Sequence, residues 1–303
     1  MSDAEIFEIH RQTLFGLAYR MLGSASEAED VVQDAFLRFM AAPQDEIRSH
    51  RAYLSTVVTR LCLDRLKAAR VTREHYLGPW LPEPLIITDE MTEPQHAAEQ
   101  LESITLAFLV LLEVLTPQER AVFLLREVFA YEYAEIAEVL QLSLANCRQL
   151  FHRAKERIAG QRSRFHPVSE HHRQLVMCFL AATQQGNMQA LTQLLAQDIT
   201  LWADGGEQAQ APRKPVHGRV GVVKVLRAFK IHASIAVGDE VDALDSTITT
   251  VNGELASLAW LHGRLDTIMI ISIADRQISA LRLIRNPEKL DYIRRQLLEC
   301  APG

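Results

Sequence analysis

Asn146, Arg148, Gln149, His152, Arg153 and Lys155 form the chain's densest set of groups able to recognise a nucleic acid. Asn, Gln and Arg side chains can bond a base edge at two points, and Arg and Lys neutralise phosphates. That chemistry needs one helix holding the groups on one face. Cys147, Leu150, Phe151 and Ala154 recur with helical period, which turns the polar set outward, and Ser143 is placed to cap the helix. A preceding stripe of Tyr133, Ile136, Ala137 and Leu140 marks another helix, and Gln141-Leu142-Ser143 breaks the pattern between them. Upstream, Thr116-Pro117-Gln118-Glu119 combines a capping hydroxyl, Pro at the first helical position and a Glu able to reach back to the cap amide. The stretch from Thr116 to Ile158 therefore predicts a helix-turn-helix whose second helix reads the major groove. A solvated helical hairpin would share the same apolar pattern.

The N-terminal part shows a different chemistry. Leu14, Leu17, Ala18 and Met21 form a helical stripe closed by Gly23, and Ser24 with Glu27 forms a capping box for the next helix. That helix turns Val32, Ala35, Phe36 and Phe39 inward and presents Glu27, Glu29, Asp30 and Asp34 outward, an acidic face suited to a protein partner and not to DNA. Leu54, Val57, Val58 and Leu61 mark a third helix, rich in positive charge. From Arg48 to Arg73 there are seven Lys or Arg against one acid, Asp64, and from Arg148 to Arg164 six against Glu156. Two basic islands in a chain of net charge -6 suit DNA contact at two places and exclude an indiscriminate nucleic-acid coat.

With 303 residues the chain has room for two or three domains. Cys62, Cys147, Cys178 and Cys300 lack metal-ligand spacing, and the first two fall in or beside apolar helical faces, as reduced core thiols do. His171-His172 has no partner that would make it a metal site. An acidic N-terminus without an apolar core, and no run of membrane-spanning length, predict a cytoplasmic protein with no membrane association. No cofactor and no metal are expected.

Pro79, Pro82, Pro84 and Pro94 favour extended backbone between the helical parts, and Tyr76, Trp80 and Leu81 suggest that some of this linker docks on a surface. Beyond it, helices are expected over Val168–Gln185, Met188–Leu195 and Val220–Phe229, with a short strand over Ile199–Ala203. The period then changes to strands over Glu240–Val251, Glu254–Trp260, Thr267–Ala274 and Gln277–Ile284, with hairpin turns at Asn252-Gly253 and Asp275-Arg276. Helices followed by an antiparallel sheet predict an α+β cone that encloses a pocket.

Leu115-Thr116-Pro117 with Glu119-Arg120, Glu135-Ile136-Ala137 with Leu140, then Ser143, Arg148 and His152-Arg153-Ala154-Lys155 resemble the promoter-reading domain of a bacterial sigma factor. Gln141 stands where that family has Gly, which predicts a slightly altered turn. Leu17 to Met40 resembles the sigma segment that grips the clamp helices of core RNA polymerase, which implies polymerase contacts at Glu29, Asp30, Gln33, Asp34 and Leu37. Ala52 to Arg70 resembles the helix that melts the promoter and reads its upstream edge, and the loop from Asp45 to His50 would hold a flipped base. The implied contacts with melted DNA are Asp45, His50, Arg51, Tyr53, Arg60, Arg65, Lys67 and Arg70. The linker YLGPWLPEPL is similar to that of the sigma-J-like group of extracytoplasmic-function sigma factors, which carry a fused SnoaL-like domain. Trp202-Ala203-Asp204-Gly205-Gly206 resembles the group's Asp-Gly-Gly-Gly-Lys signature, except that Glu207 replaces the third Gly and Lys214 is the nearest downstream Lys. Arg285-Asn286-Pro287-Glu288-Lys289-Leu290 resembles its tail motif. Asp204, Gly205, Gly206, Asn286, Pro287, Lys289 and Leu290 are accordingly the expected regulatory set.

The resemblance implies a multidomain chain: sigma-type helical domains over 1–73 and 101–163, a linker over 74–100, a SnoaL-like α+β domain over 164–285 and a tail over 286–303. The expected function is transcription initiation with core RNA polymerase and promoter DNA as partners and a built-in regulatory domain. Two alternatives stand beside it. A ligand-sensing DNA-binding regulator leaves the acidic N-terminal helix unexplained. A cyclase or isomerase would use Asp204, Asp239 or Asp266 as general base, a role that needs burial in an apolar pocket.

Overall fold

A capping box opens the first helix, α1 (Asp3–Leu22): the Glu5 amide donates to the Ser2 hydroxyl and the Ser2 amide donates to the Glu5 carboxylate. Gly23 closes it at φ 69°, a conformation that a Cβ disfavours, with its N–H on the Tyr19 carbonyl. Ser24 then caps α2 (Ala25–Met40), accepting from the Glu27 amide. A 3-10 turn at Gln44–Glu46 leads to α3 (His50–Arg73). Phe7, Leu14 and Leu17 of α1, Val32, Ala35 and Phe39 of α2 and Leu54, Val58 and Cys62 of α3 bury their side chains together. Each fully buried large apolar side chain contributes roughly 1.5–3 kcal/mol.

The computed structural model describes residues 2–73, 76–87, 104–159, 170–237 and 244–299, with no account of the side chains of 70–73, 230–237, 244 and 299. These residues divide into two compact units. One comprises 2–73 and 104–159; the other comprises 76–87, 170–237 and 244–299.

The first unit continues with α4 (Leu106–Leu112), α5 (Pro117–Glu127), α6 (Tyr133–Leu140) and α7 (Leu144–Ile158). The Thr116–Glu119 capping box forms, and Ser143 caps α7 through the Asn146 amide. Gln141 sits at φ 54° and ψ 46°, so it takes up the left-handed conformation despite its side chain. Holding a non-glycine residue there costs about 1–2 kcal/mol. The two helical segments pack on each other inside this unit. Arg120, 3% exposed, donates to the carbonyls of Leu112 and of Met21, the latter at 2.7 Å. The Ser55 and Tyr131 hydroxyls meet at 2.6 Å.

In the second unit, α8 (Glu170–Gln185), α9 (Met188–Leu194) and α10 (Arg219–Val237) pack against a six-stranded sheet of order β2-β1-β6-β5-β4-β3. Its strands are β1 (Leu195–Asp204), β2 (Val216–His217), β3 (Leu244–Val251), β4 (Glu254–Leu261), β5 (Arg264–Ala274) and β6 (Gln277–Ile284). Neighbours are antiparallel except β1 and β6, which run parallel. Register shifts in β1/β6, β4/β5 and β5/β6 bend the sheet around the core of Phe179, Leu191, Leu201, Val222, Ile271 and Leu283. Asn252-Gly253 and Asp275-Arg276 form turns with both central φ angles positive. His262-Gly263 forms another, at φ 48° and 72°, so β4 and β5 run on to a tight turn where the sequence suggested a longer loop. The last helix, α11 (Pro287–Glu299), buries Leu290 and Ile293.

Candidate nucleic-acid and polymerase interface

On α7 the apolar stripe of Cys147, Leu150, Ala154 and Ile158 is buried, while Arg148, Gln149, His152, Arg153 and Lys155 are exposed and Asn146 is half-buried. The helix rests on aromatic side chains: Phe151 stacks on Phe123 and meets Tyr133 edge-on. Several of these side chains are already positioned. Lys155 pairs with Glu127 at 3.1 Å, His152 with Glu156 at 3.4 Å, and Arg148 lies over the Tyr133 ring. Exposed pairs of this kind contribute little stability, which leaves the groups available to a stronger anion.

The residues expected to meet melted DNA are not held alike. Asp45 and Arg60 are exposed, and Lys67 is exposed beside Asp64 at 3.1 Å. His50 and Tyr53 lean on the Phe39 ring. Arg51 instead donates to the Phe129 carbonyl at 3.1 Å and covers the Tyr131 ring, so in this arrangement it is occupied by the helix-turn-helix segment. Arg65 turns away toward α2, meeting Asp34 at 3.3 Å and Asp30 at 3.5 Å. The Arg70 side chain lies outside the described set. His10, which the sequence reading passed over, stands near His50 and Arg51; burial, then the proximity of these two side chains, lowers its pKa from the ordinary histidine value.

The outer face of α2 presents Glu29, Asp30 and Gln33 to solvent, with Asp34 half-buried. Beside these carboxylates, Leu37 is 60% and Met40 45% exposed. Exposed apolar side chains framed by acids make a surface for a basic protein partner. Arg20 was also missed by sequence reading. It is buried, donates to the Gly16 carbonyl at 2.9 Å and lies over the Phe129 ring; burial lowers its pKa to about 10.

The second unit gathers nearly the whole expected regulatory set at one point. Asp204 follows the core residue Ala203 and so points to the opposite face of the sheet. It is fully buried, and its carboxylate accepts from the Tyr76 hydroxyl at 2.5 Å, the Leu81 amide at 2.8 Å, the Gly206 amide at 3.1 Å and the Lys289 ammonium at 2.7 Å. Lys289 also donates to the Leu81 carbonyl and lies over the rings of Trp80 and Tyr76. Asn286 caps α11 through the Glu288 amide and also donates to the Tyr76 hydroxyl at 2.9 Å, while Pro287 takes the first helical position. Gly206, at φ 58°, leaves no space for a side chain, because a Cβ there would come within 2.8 Å of Asn286. Burial and the Asp204 hydrogen bond raise the Tyr76 pKa above the ordinary phenol value. Linker residues 76–87 thus belong to the C-terminal unit. Leu81 and Leu85 are buried, and Leu85 exchanges hydrogen bonds with Asn252.

The surroundings of Asp204 and Asp266 are not the apolar pocket that a general base needs. Every donor around Asp204 comes from the chain itself, and Asp266 is engaged by Arg285 at 3.0 Å. Asp239 lies outside the described residues. Among the described residues no His, Cys, Asp and Glu group could hold a metal ion, and no helix is long and apolar enough to cross a membrane.

Residues 6–72 match the family described as Sigma-70 region 2, and residues 105–158 match Sigma-70, region 4. The chain is 36% identical over 292 residues to the ECF RNA polymerase sigma factor SigJ of Mycobacterium tuberculosis, covering 93% of this chain and 91% of that one. It is 31% identical over 290 residues to the probable ECF RNA polymerase sigma factor SigI of the same species, covering 95% and 94%. The crystal structure of Mycobacterium tuberculosis SigJ superposes with a TM-score of 0.70 at 33% identity, covering 95% of this chain and 98% of that one.

Proposed function

The chain belongs to the extracytoplasmic-function RNA polymerase sigma factors and is an alternative transcription initiation factor, not an enzyme; from that premise we propose how its own residues divide the work. The face of α2 formed by Glu29, Asp30, Gln33, Asp34 and Leu37 binds core RNA polymerase. The face of α7 formed by Arg148, Gln149 and Arg153 reads the upstream promoter element, with Asn146, His152 and Lys155 fixing register on the phosphates. Asp45, His50, Tyr53, Arg60, Lys67 and Arg70 meet the melted strand, joined by Arg51 once it leaves the Phe129 carbonyl. The protein works in the cytoplasm, where polymerase and promoter are.

The observation that supports the DNA-reading assignment is the split of α7 into a buried apolar stripe and an exposed face of base-reading side chains. Replacing a residue that bonds a base at two points costs about 1–3 kcal/mol and relaxes specificity at that base pair. Run-off transcription by core polymerase with the Arg148→Ala, Gln149→Ala, Arg153→Ala triple variant tests it. Selectivity among promoter variants should fall while polymerase binding persists. Unchanged selectivity would remove the assignment.

The C-terminal unit, in this proposal, governs initiation by holding the linker. The Asp204 cluster supports this reading, because it joins the signature loop, the tail motif and the chain between the two sigma-type segments by hydrogen bonds.

A further inference from the structure

We propose that Tyr133 is a positioning residue for promoter reading, its ring holding the Arg148 guanidinium in place on the exposed face of α7. The proposal rests on the assignment of α7 as the promoter-reading helix and adds a residue that the assignment does not include. By period alone Tyr133 is a core residue of α6, yet Ile136 and Val139 are the buried residues of that helix and Tyr133 stays half-buried.

Its surroundings explain why an aromatic ring stands there. The Arg148 guanidinium carbon lies 5.7 Å from the ring centroid and that of Arg126 lies 5.0 Å from it. Phe151 meets the ring edge-on, with centroids 5.9 Å apart and planes at 78°. Arg126 is fixed in turn, donating to the Tyr131 carbonyl at 2.8 Å and pairing with Glu132 at 3.0 Å. The ring is therefore located from α5 through Arg126 and from α7 through Phe151, while Arg148 has it as a platform. The negative face of an aromatic ring attracts a guanidinium. An arginine held in its bound orientation gives up less rotamer freedom when it meets a base. Lys155 has the same relation to Phe151, 4.9 Å from that ring, so an aromatic pair underlies two cations of the reading face.

The test uses the full chain bound to core RNA polymerase. The probe is a duplex promoter recovered by that holoenzyme from a pool randomised in the upstream element, together with its single-base variants. Arg148→Ala should flatten discrimination at the base pair Arg148 reads. Tyr133→Leu should lose about two- to fivefold of the discrimination at that same base pair. Tyr133→Phe, which keeps the ring, should retain it, and Tyr133→Leu should add nothing in the Arg148→Ala background. If Tyr133→Leu does not fold, progressive fluorination of a phenylalanine at position 133 drains the ring face at nearly constant shape and should give a graded loss. Full discrimination in the Leu or fluorinated variants, or a loss equal at every base pair, would overturn the positioning role while leaving the α7 assignment intact. Unchanged discrimination in Arg148→Ala would overturn the reading role of Arg148 and the proposal together.

Discussion

Asp204 has no contact with solvent, yet its carboxylate receives donors from the linker, from its own loop and from α11. A buried ion pair is a net stabiliser only when further hydrogen bonds satisfy its remaining lone pairs, and removing one partner alone costs about 3–5 kcal/mol. Tyr76 gives this site a pH signature. Its phenol titrates above its ordinary value of about 10, so its contribution is complete below that pH. As pH rises past about 10 the unfolded chain gives up the proton while the folded chain keeps it, and stability falls. The urea midpoint of the full chain should drop between pH 9 and about 11, and the drop should be smaller in Tyr76→Phe. Equal slopes would show that Tyr76 is not held as described. At this scale the resemblance led to Asp204, Asn286 and Lys289, but not to their partners. Tyr76 was legible only as apolar surface. The burial of Arg20 and Arg120 was not legible, because the Phe129 ring over which Arg20 lies and the Met21 carbonyl that Arg120 reaches are far away in the chain.

Among the elements, local chemistry set what could be read. The caps at Ser24, Thr116 and Ser143 and the turn at Asn252-Gly253 depend on residues within a few positions of each other, and all were legible. The turn at His262-Gly263 was not, since His-Gly is not among the residue pairs that mark a two-residue hairpin. Arg65 shows the limit most clearly. The resemblance puts it on the helix that meets melted DNA, whereas the structure turns it onto Asp30 and Asp34 of α2. That contact shapes the prediction for the polymerase-binding face. Asp30→Lys with Asp34→Lys would set three cations together, so Asp30→Asn with Asp34→Asn is the companion variant. The exposed pairs contribute at most about 1 kcal/mol, so the Asn variant should stay folded. Both variants should lose co-migration with core polymerase on size exclusion, the Lys variant more completely. Retained co-migration in a folded Lys variant would remove the acidic face from the polymerase contact.

For the whole molecule, the sequence marked 74–100 as a linker and suggested that part of it docks, and the structure shows where. Residues 76–87 are built into the C-terminal unit by Leu81, Leu85, Ile86 and the Asp204 cluster. The covalent connection between the two sigma-type segments is thereby anchored over residues 76–87. A tethered domain acts at high effective concentration, so a modest change in its grip alters what the connected segments can do. Deleting the tail from Asn286 onward is a poor probe, because Leu290 and Ile293 belong to the core of this unit. Neutralising both partners with Asp204→Asn and Lys289→Met avoids a stranded buried charge. The most direct measurement is run-off transcription by core polymerase with this double variant and with the native chain, on one mapped promoter. Far-ultraviolet dichroism checks the fold, and limited proteolysis of residues 76–87 reports release of the linker. A several-fold change in transcript yield with polymerase binding unchanged is the predicted result. Identical yield from a folded variant whose linker has become cleavable would contradict the account.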